Sequence, residues 1–356
     1  MTVDLILATL FAGLTAYAVL GGADFGAGFW DLTAGGAERG ARVRGMVKRS
    51  MGPVWEANHV WLIFILVIFW TAFPDAFAAV METLYVPLFI AGVGIILRGT
   101  AFAVRGEAAT IAEARAMGGV FALSSVLVPF CFGAVIGAIA SGQVTIEPGA
   151  GDAASWTGPT SILVGVLAVA TGAFLAAVFL AGDSARSELP DLVAAFRARA
   201  LAAGAVAGVL AIAGLFVVRE DAPALYDGLT SGAGLAAVIA SALAGLATLA
   251  LVWVGRFELA RFAAAAAVGA VVVGWGLAQS PDLLPGVLTI DAAAAPDETL
   301  VPLLIGVVIA VAVVVPSLAL LFRLALAGRL ETEFRPITTG DHPPEAGHDR
   351  REERQR

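Results

Sequence analysis

Charged residues are scarce in this chain of 356 residues: only 14% are Asp, Glu, Lys or Arg, while 59% are hydrophobic. Soluble globular domains carry about 25% charged residues. The mean hydropathy is +0.90. This composition excludes a soluble domain and predicts a polytopic membrane protein. Basic residues form no dense cluster except over residues 39–49, so a nucleic-acid partner is also excluded.

Cysteine and histidine are almost absent. The single cysteine, Cys131, lies in an apolar segment, where it is predicted to be a buried hydrophobic residue, and one cysteine excludes a disulfide framework. Of the three histidines, His342 and His348 fall in the polar tail, which leaves His59 as the one imidazole near the membrane. Several haems held in a helical bundle would need more axial ligands. We therefore predict that this chain binds no haem and no metal.

Apolar runs long enough to cross a bilayer, about 20 residues each, recur throughout the chain. Nine are predicted, at residues 4–26, 57–73, 78–97, 118–141, 161–181, 200–218, 229–254, 261–279 and 301–325. Their Gly and Ala content favours close helix packing in lipid. The sequence thus predicts an all-α transmembrane domain over residues 1–327 and a charged, disordered cytoplasmic tail over residues 328–356.

Lys and Arg alternate between successive connections. The odd-numbered loops and the tail hold all of them except Arg219. Because basic loops remain in the cytoplasm, the amino terminus is predicted outside and the carboxyl terminus inside. Residues 36–52 then face the cytoplasm and residues 281–300 face outside.

Unexpected polar residues open the second predicted span, in the stretch MGPVWEANHVWL. Glu56 and His59 lie one helical turn apart on one face, and Asp24 is predicted near the cytoplasmic edge of the first span, at a similar depth. Ionisable groups are costly in a membrane and often mark proton routes, so these three residues are candidates for a proton relay. The alternative is that Glu56 and Asn58 cap the helix, where an acidic side chain favours the positive end of the dipole. The residue pattern alone leaves both alternatives open.

The predicted depth in the membrane indicates roles for some other polar and aromatic residues. Asn58, Trp55 and Trp61 are taken as supporting residues of the site, since Trp55 falls at a predicted membrane boundary and Trp61 lies inside the span. Arg98, at the inner end of the third predicted span, is expected to extend its side chain toward water.

Four segments together resemble a known family: GGADFGAGFWDL, GPVWEANHVWLIFILVIFWTAFPDAF, LYVPLFIAGVGIILRGTAFAVR and GWGLAQSPDLLPGVLTIDAAAAPDETL. The chain resembles subunit II of cytochrome bd-type quinol oxidases. The resemblance implies a heterodimer in the bacterial cytoplasmic membrane, in which subunit I holds a low-spin haem b, a high-spin haem b and haem d and reduces O2 with electrons from quinol. It also implies two four-helix bundles plus one peripheral helix, and it allows for a structural quinone or lipid and a small single-helix accessory subunit.

The resemblance further implies a role for two acidic positions. In the family, acidic residues near the end of helix one and at the start of helix two contribute to a cytoplasmic proton path, and these positions are Asp24 and Glu56 here. Many members have Asp in place of Glu56 and Gln in place of His59. The rival interpretations are a stand-alone proton-coupled transporter that uses Asp24 and Glu56, and a purely structural scaffold for subunit I.

Overall fold

The computed structural model of the chain describes residues 1–36, 38–51, 55–105, 110–147 and 153–326. Within these ranges, seven side chains are not described: those of Glu56, Ala57, Arg105, Ile111, Phe322, Ala325 and Leu326. The predicted tail, 328–356, lies outside the described residues.

Nearly all of the described chain is helical. Its elements are α1 (Thr2–Ala16), a π-helical turn (Tyr17–Gly21), α2 (Gly22–Leu32), α3 (Ala41–Met51), α4 (Trp55–Ala72), α5 (Pro74–Thr83), α6 (Tyr85–Arg105), α7 (Ile111–Ala140), a 3-10 turn (Ala153–Ser155), α8 (Pro159–Arg186), α9 (Pro190–Asp221), α10 (Pro223–Leu229), α11 (Gly232–Trp253), α12 (Phe257–Gln279), β1 (Asp282–Leu284), β2 (Leu288–Thr289), α13 (Ile290–Ala293) and α14 (Asp297–Leu326). The two short strands form an antiparallel hairpin.

The described chain contains eight helices that are long and apolar enough to cross a membrane, or nine if the bent pair α4 and α5 counts as one span. The first joins α1, the π-helical turn and α2 into one span, Thr2–Leu32. Successive spans pack in pairs, α6 on α7, α8 on α9 and α11 on α12, while α2 contacts both α7 and α8. The prediction of an all-α, multi-pass membrane protein is confirmed.

The predicted end of the second span at residue 73 agrees with α4, but the predicted start of the third span at residue 78 is wrong. The third span, α6, begins only at Tyr85. The chain bends by 117° between α4 and α5. The cause is Pro74, which disfavours helical geometry at Phe73 (φ −135°, ψ 61°) and starts a new helix at its own position. The predicted third span includes residues 78–83 of α5, because most of these residues are apolar and hydropathy does not show a change of direction.

Close packing of α2 against its neighbours depends on two glycines. A Cβ atom on Gly26 would lie 1.9 Å from the carbonyl oxygen of Gly172 in α8, and one on Gly28 would lie 2.1 Å from Oγ of Ser125 in α7. Small residues allow such backbone approach between membrane helices. The first span is therefore held against α7 and α8 at contact distance.

Ion pairs connect the helices at one end of the molecule. Arg44 of α3 binds Asp31 of α2 (Nε to Oδ1, 3.1 Å), and Arg42 of α3 pairs with Asp191 at the start of α9. We call this end, where α2 and α8 finish and α4 begins, the basic end.

The opposite end is closed by apolar contacts. Phe73 and Leu84, which flank α5, are buried there together with Leu284 of the hairpin. The backbone N–H of Ala295 donates to the carbonyl of Ala72 at 2.8 Å. The α4–α5 bend and the β1–β2 hairpin thus form one cap.

Candidate functional site

Asp24 of α2 and Arg98 of α6 form a bidentate ion pair inside the first half of the molecule. Nη1 of Arg98 donates to Oδ2 of Asp24 at 2.8 Å, and Nη2 donates to Oδ1 at 2.9 Å and to the Asp24 backbone carbonyl at 3.0 Å. The Arg98 side chain is only 2% exposed and the Asp24 side chain only 1%. Paired guanidinium and carboxylate groups in this geometry make strong, charge-assisted hydrogen bonds. Asp24 is therefore fixed as the counter-ion of Arg98.

The rest of the Arg98 guanidinium is equally well accommodated. Its Nε donates to Oγ of Ser125 at 2.9 Å, and the Ser125 hydroxyl donates to the carbonyl of Phe121 at 2.6 Å. The rings of Phe25 and Phe121 lie 4.8 and 4.7 Å from Cζ, at distances that favour cation–π contact. Gly28 leaves the space that Ser125 occupies.

The expectation that Arg98 extends to water is wrong. Since α6 begins at Tyr85, Arg98 lies about 20 Å along this helix, and α6 continues for about 10 Å beyond it. The helix that carries Asp24 likewise continues to Leu32, about 12 Å further. The sequence analysis placed both residues near the same end of their spans, but it did not predict that they bind each other.

The polar residues of α4 meet the first span beside this ion pair. Asn58 is buried, and its Nδ2 donates at 3.3 Å to the carbonyl of Leu20 in the π-helical turn. The half-buried His59 ring lies between the rings of Phe25 and Trp55, with centroid distances of 6.3 and 6.2 Å. Asn58 therefore links two helices, a role that capping its own helix would not require.

The heights of the site residues follow from the antiparallel register of α1 and α4. Asn58 contacts Leu20, and a Cβ on Gly13 would lie 3.3 Å from Cγ1 of Ile65. These two contacts show that α4 runs antiparallel to the first span, so Glu56, His59 and Trp61 lie at increasing distance from the basic end. From the basic end inward, the order is Asp24, Glu56, His59 and then Trp61.

The structure thus brings Asp24, Asn58 and His59 together, while the side chain of Glu56 lies outside the described residues. Trp55 packs on Phe102 at 5.2 Å and supports the His59 ring. Trp61 packs on Phe64 at 6.1 Å. The sequence analysis did not identify Ser125 and Tyr17, because these uncharged residues do not stand out within an apolar segment.

A second carboxylate cluster lies at the basic end of the other half. Asp183 of α8 pairs with Arg261 of α12 and with Arg186, and Arg186 also pairs with Glu258. Arg261 donates to the carbonyl of Phe179 at 2.7 Å. Among the described residues, no group of three or more His, Cys, Asp or Glu side chains could hold a metal ion.

Two curated proteins are similar to this chain in sequence, and one solved structure is similar to it in fold. The cytochrome bd ubiquinol oxidase subunit 2 of Bacillus subtilis is 31% identical over 129 residues, which is 36% of this chain and 36% of that protein. A second Bacillus subtilis protein, provisionally named cytochrome bd menaquinol oxidase subunit II, is 25% identical over 236 residues, 65% of this chain and 67% of that protein. A chain in the structure of bd oxidase from Geobacillus thermodenitrificans superposes with a TM-score of 0.70 at 25% identity, covering 91% of this chain and 98% of that one.

The match to a family profile extends over nearly the whole described chain. The family described as cytochrome bd terminal oxidase subunit II matches residues 3–325. This range includes both polar clusters and all of the membrane spans. The chain therefore belongs to the cytochrome bd terminal oxidase subunit II family.

Proposed function

We propose that this chain is subunit II of a quinol:oxygen oxidoreductase in the bacterial cytoplasmic membrane and that it carries protons from the cytoplasm toward a haem-bearing subunit I. The observation that carries this proposal is the column of polar groups at Asp24, Arg98, Asn58 and His59 within apolar spans. Ionisable groups inside a membrane span are costly, and those that are present often mark ion or proton routes. In this proposal the basic end faces the cytoplasm, the amino terminus lies outside and the tail is cytoplasmic.

The groups in this column have different roles. Asp24 and Arg98 neutralise each other, so the buried pair leaves no net charge that would repel an entering proton. Asp24 contributes to the pathway as the counter-ion that holds Arg98 beside it. Glu56 takes up the proton, and His59, one turn further in, receives it. An imidazole suits this step because it binds and releases protons near neutral pH.

The proposed assembly places the haems in the partner subunit. His59 is the one imidazole of the spans, it lies between two aromatic rings, and among the described residues it belongs to no group of side chains that could hold a metal ion. Subunit I would therefore hold both b haems and haem d, which supply the electron transfer and the oxygen chemistry. Quinol and O2 are substrates of the complex. We extend the proposal to two four-helix bundles plus a peripheral α14, and a bound quinone, a lipid or a small accessory subunit is compatible with it.

The rival function is a proton-coupled transporter that works alone. The name of the first Bacillus subtilis relative, a ubiquinol oxidase subunit, favours the oxidase. Purification from its own membrane distinguishes the two functions. The oxidase requires a haem-bearing protein to co-purify, whereas a transporter would be colourless and active without one.

The decisive test is Glu56→Gln in the purified complex. The amide keeps the shape but cannot titrate, so quinol-driven oxygen consumption should fall by more than about tenfold, within the range that proton-transfer groups contribute. Haem content should stay normal. Glu56→Asp should retain much of the turnover because it restores a titrating group.

Glu298→Gln is the matched control, because Glu298 is exposed at the opposite end. It should respire at the wild-type rate. If Glu56→Gln also respires at that rate, or if it loses haem together with activity, Glu56 is a structural residue and the proposed route is wrong.

A further inference from the structure

Arg197 and Arg199 of α9 make no ion pair with the part of the chain that the structure describes. Four other arginines of the basic end are each paired with a carboxylate: Arg42 with Asp191, Arg44 with Asp31, and Arg186 and Arg261 with Asp183. α9 begins at Pro190, whereas its apolar span is predicted from residue 200 onward. The two arginines therefore lie where the helix enters the apolar layer, at the level of lipid headgroups.

The Arg199 guanidinium is held against two aromatic rings. Its Cζ lies 5.3 Å from the centre of the Trp30 ring of α2 and 5.0 Å from that of Phe196, at distances that favour cation–π contact. Trp30 is itself fixed, because its Nε1 donates to the carbonyl of Ala173 in α8 at 2.8 Å. These contacts set the position of the guanidinium without compensating its charge.

The hydrogen-bonding capacity of Arg199 is unused within the described residues. Its Nη1 is buried and has no acceptor, while Nε and Nη2 also lack an acceptor but remain accessible. A guanidinium carries five N–H donors and strongly favours carboxylate or phosphate oxygens. The accessible side of Arg199 is therefore available to an anion from outside the described chain.

Arg197 lies on the other side of α9 and has only an uncharged acceptor. Its Nη2 donates to the carbonyl of Trp253, the last residue of α11, and its Cζ lies 5.5 Å from the centre of the Trp253 ring. Trp253 is exposed, as is typical of tryptophans at a membrane interface. The charge of Arg197 therefore adds to that of Arg199 at the same level.

An apolar stripe of α9 runs between the two arginines. Its exposed residues recur every three or four positions: Ala198, Ala202, Ala205, Val209, Ile212 and Phe216. Because successive residues of a helix are about 100° apart, Arg197 and Arg199 lie on opposite sides of Ala198. An acyl chain along this stripe would have its headgroup beside both arginines.

We propose that Arg199 binds the phosphate of an anionic phospholipid whose acyl chains lie along the exposed stripe of α9, with Arg197 at the edge of the headgroup. Arginine forms strong, charge-assisted hydrogen bonds with phosphate, and basic groups between membrane helices bind anionic headgroups. A zwitterionic phospholipid brings its own cation and would leave the arginine charges uncompensated. This site is separate from the Asp24–Arg98 pair and does not depend on the proposed proton route.

Arg199→Gln in the purified complex tests the inference. Native mass spectrometry of the delipidated complex, titrated with phosphatidylglycerol or phosphatidylcholine, measures the affinity for each lipid. The wild-type complex should bind one phosphatidylglycerol more tightly than phosphatidylcholine. In Arg199→Gln the phosphatidylglycerol affinity should fall at least about fivefold, which is the contribution of one basic residue beside an anionic headgroup. Haem content and the affinity for phosphatidylcholine should not change.

Two further variants separate binding from folding and from total charge. Arg115→Gln, at an exposed arginine near the start of α7, removes the same charge and should keep the wild-type affinity. Arg199→Lys keeps the charge but loses the planar fork, so it should still prefer phosphatidylglycerol, with an affinity between those of the wild type and Arg199→Gln. This conservative variant also tests the site if Arg199→Gln does not assemble.

The result that overturns the inference is equally defined. A wild-type complex without a preference for phosphatidylglycerol would show that no anionic lipid binds there, as would equal affinities in Arg199→Gln and Arg115→Gln. Inorganic phosphate should not displace the lipid, because the acyl chains contribute to binding. Complete displacement by inorganic phosphate would show a site for a free anion and would also contradict the proposal.

Discussion

The two halves of the molecule each carry an aspartate that follows a small-residue pair, Gly-Ala-Asp at Asp24 and Ala-Gly-Asp at Asp183. Both bind an arginine from another helix, Arg98 and Arg261 respectively. The first pair is almost completely buried, whereas the side chains of the second are each 17% exposed. Similar tripeptides therefore lead to different environments.

Depth along the helix explains the difference. Asp24 is followed by two further turns of α2, while Asp183 lies one turn before the end of α8. Near the helix end Asp183 also binds a second arginine, Arg186. The side chains of this cluster are partly exposed, so solvent can screen their charges. Breaking a buried pair costs about 3–5 kcal/mol, while exposed pairs contribute about 0–1 kcal/mol. The first pair should therefore be essential to the fold and the second should not.

The largest effect is expected from Arg98→Met. Asp24 would then be a buried carboxylate without a counter-ion, and the free energy of unfolding should fall by about 3–5 kcal/mol. Thermal unfolding of the purified complex, with its haem content, measures this loss. Arg323→Met, at an exposed arginine of α14, is the control. An Arg98→Met complex as stable as the control would show that the pair contributes little.

The double variant Asp24→Leu with Arg98→Met sharpens the same comparison. Replacing both members of a buried pair by apolar residues is often neutral for stability, so the double variant should recover most of what Arg98→Met loses. Oxygen consumption should stay low if the charges organise the proton route. A double variant less stable than Arg98→Met would indicate that packing around the guanidinium dominates.

The smallest effect is expected from Arg186→Gln. Its side chain is 34% exposed, and Asp183 keeps Arg261 as a partner. The change in stability should be at most about 1 kcal/mol and should shrink further at high salt. Thermal unfolding at two ionic strengths measures it. A loss as large as that of Arg98→Met would remove the distinction between the two clusters.

The sequence predicted an all-α, multi-pass membrane protein because long apolar runs are visible in the hydropathy profile. Nine spans were predicted, and the described chain has eight such helices, or nine if the bent pair α4 and α5 counts as one. The sequence did not predict that residues 74–83 form a separate short helix, α5, so the third span was started at residue 78 instead of Tyr85. Arg98 was expected to extend toward water, because hydropathy does not indicate which side chains pair. Asp24, Asn58 and His59 were found because polar residues are conspicuous in a span, whereas Tyr17 and Ser125 were not. The role of Glu56 stays a prediction.

The Asp24–Arg98 pair also constrains how the protein can be synthesised. The two residues are separated by 74 positions, and each alone costs about 2.5–3.5 kcal/mol near the centre of a membrane span. At 5–20 residues per second, the first span waits roughly 4–15 s for its arginine. During that interval Asp24 has no arginine partner. The ion pair that joins the first and third spans is therefore completed only after α6 has been synthesised.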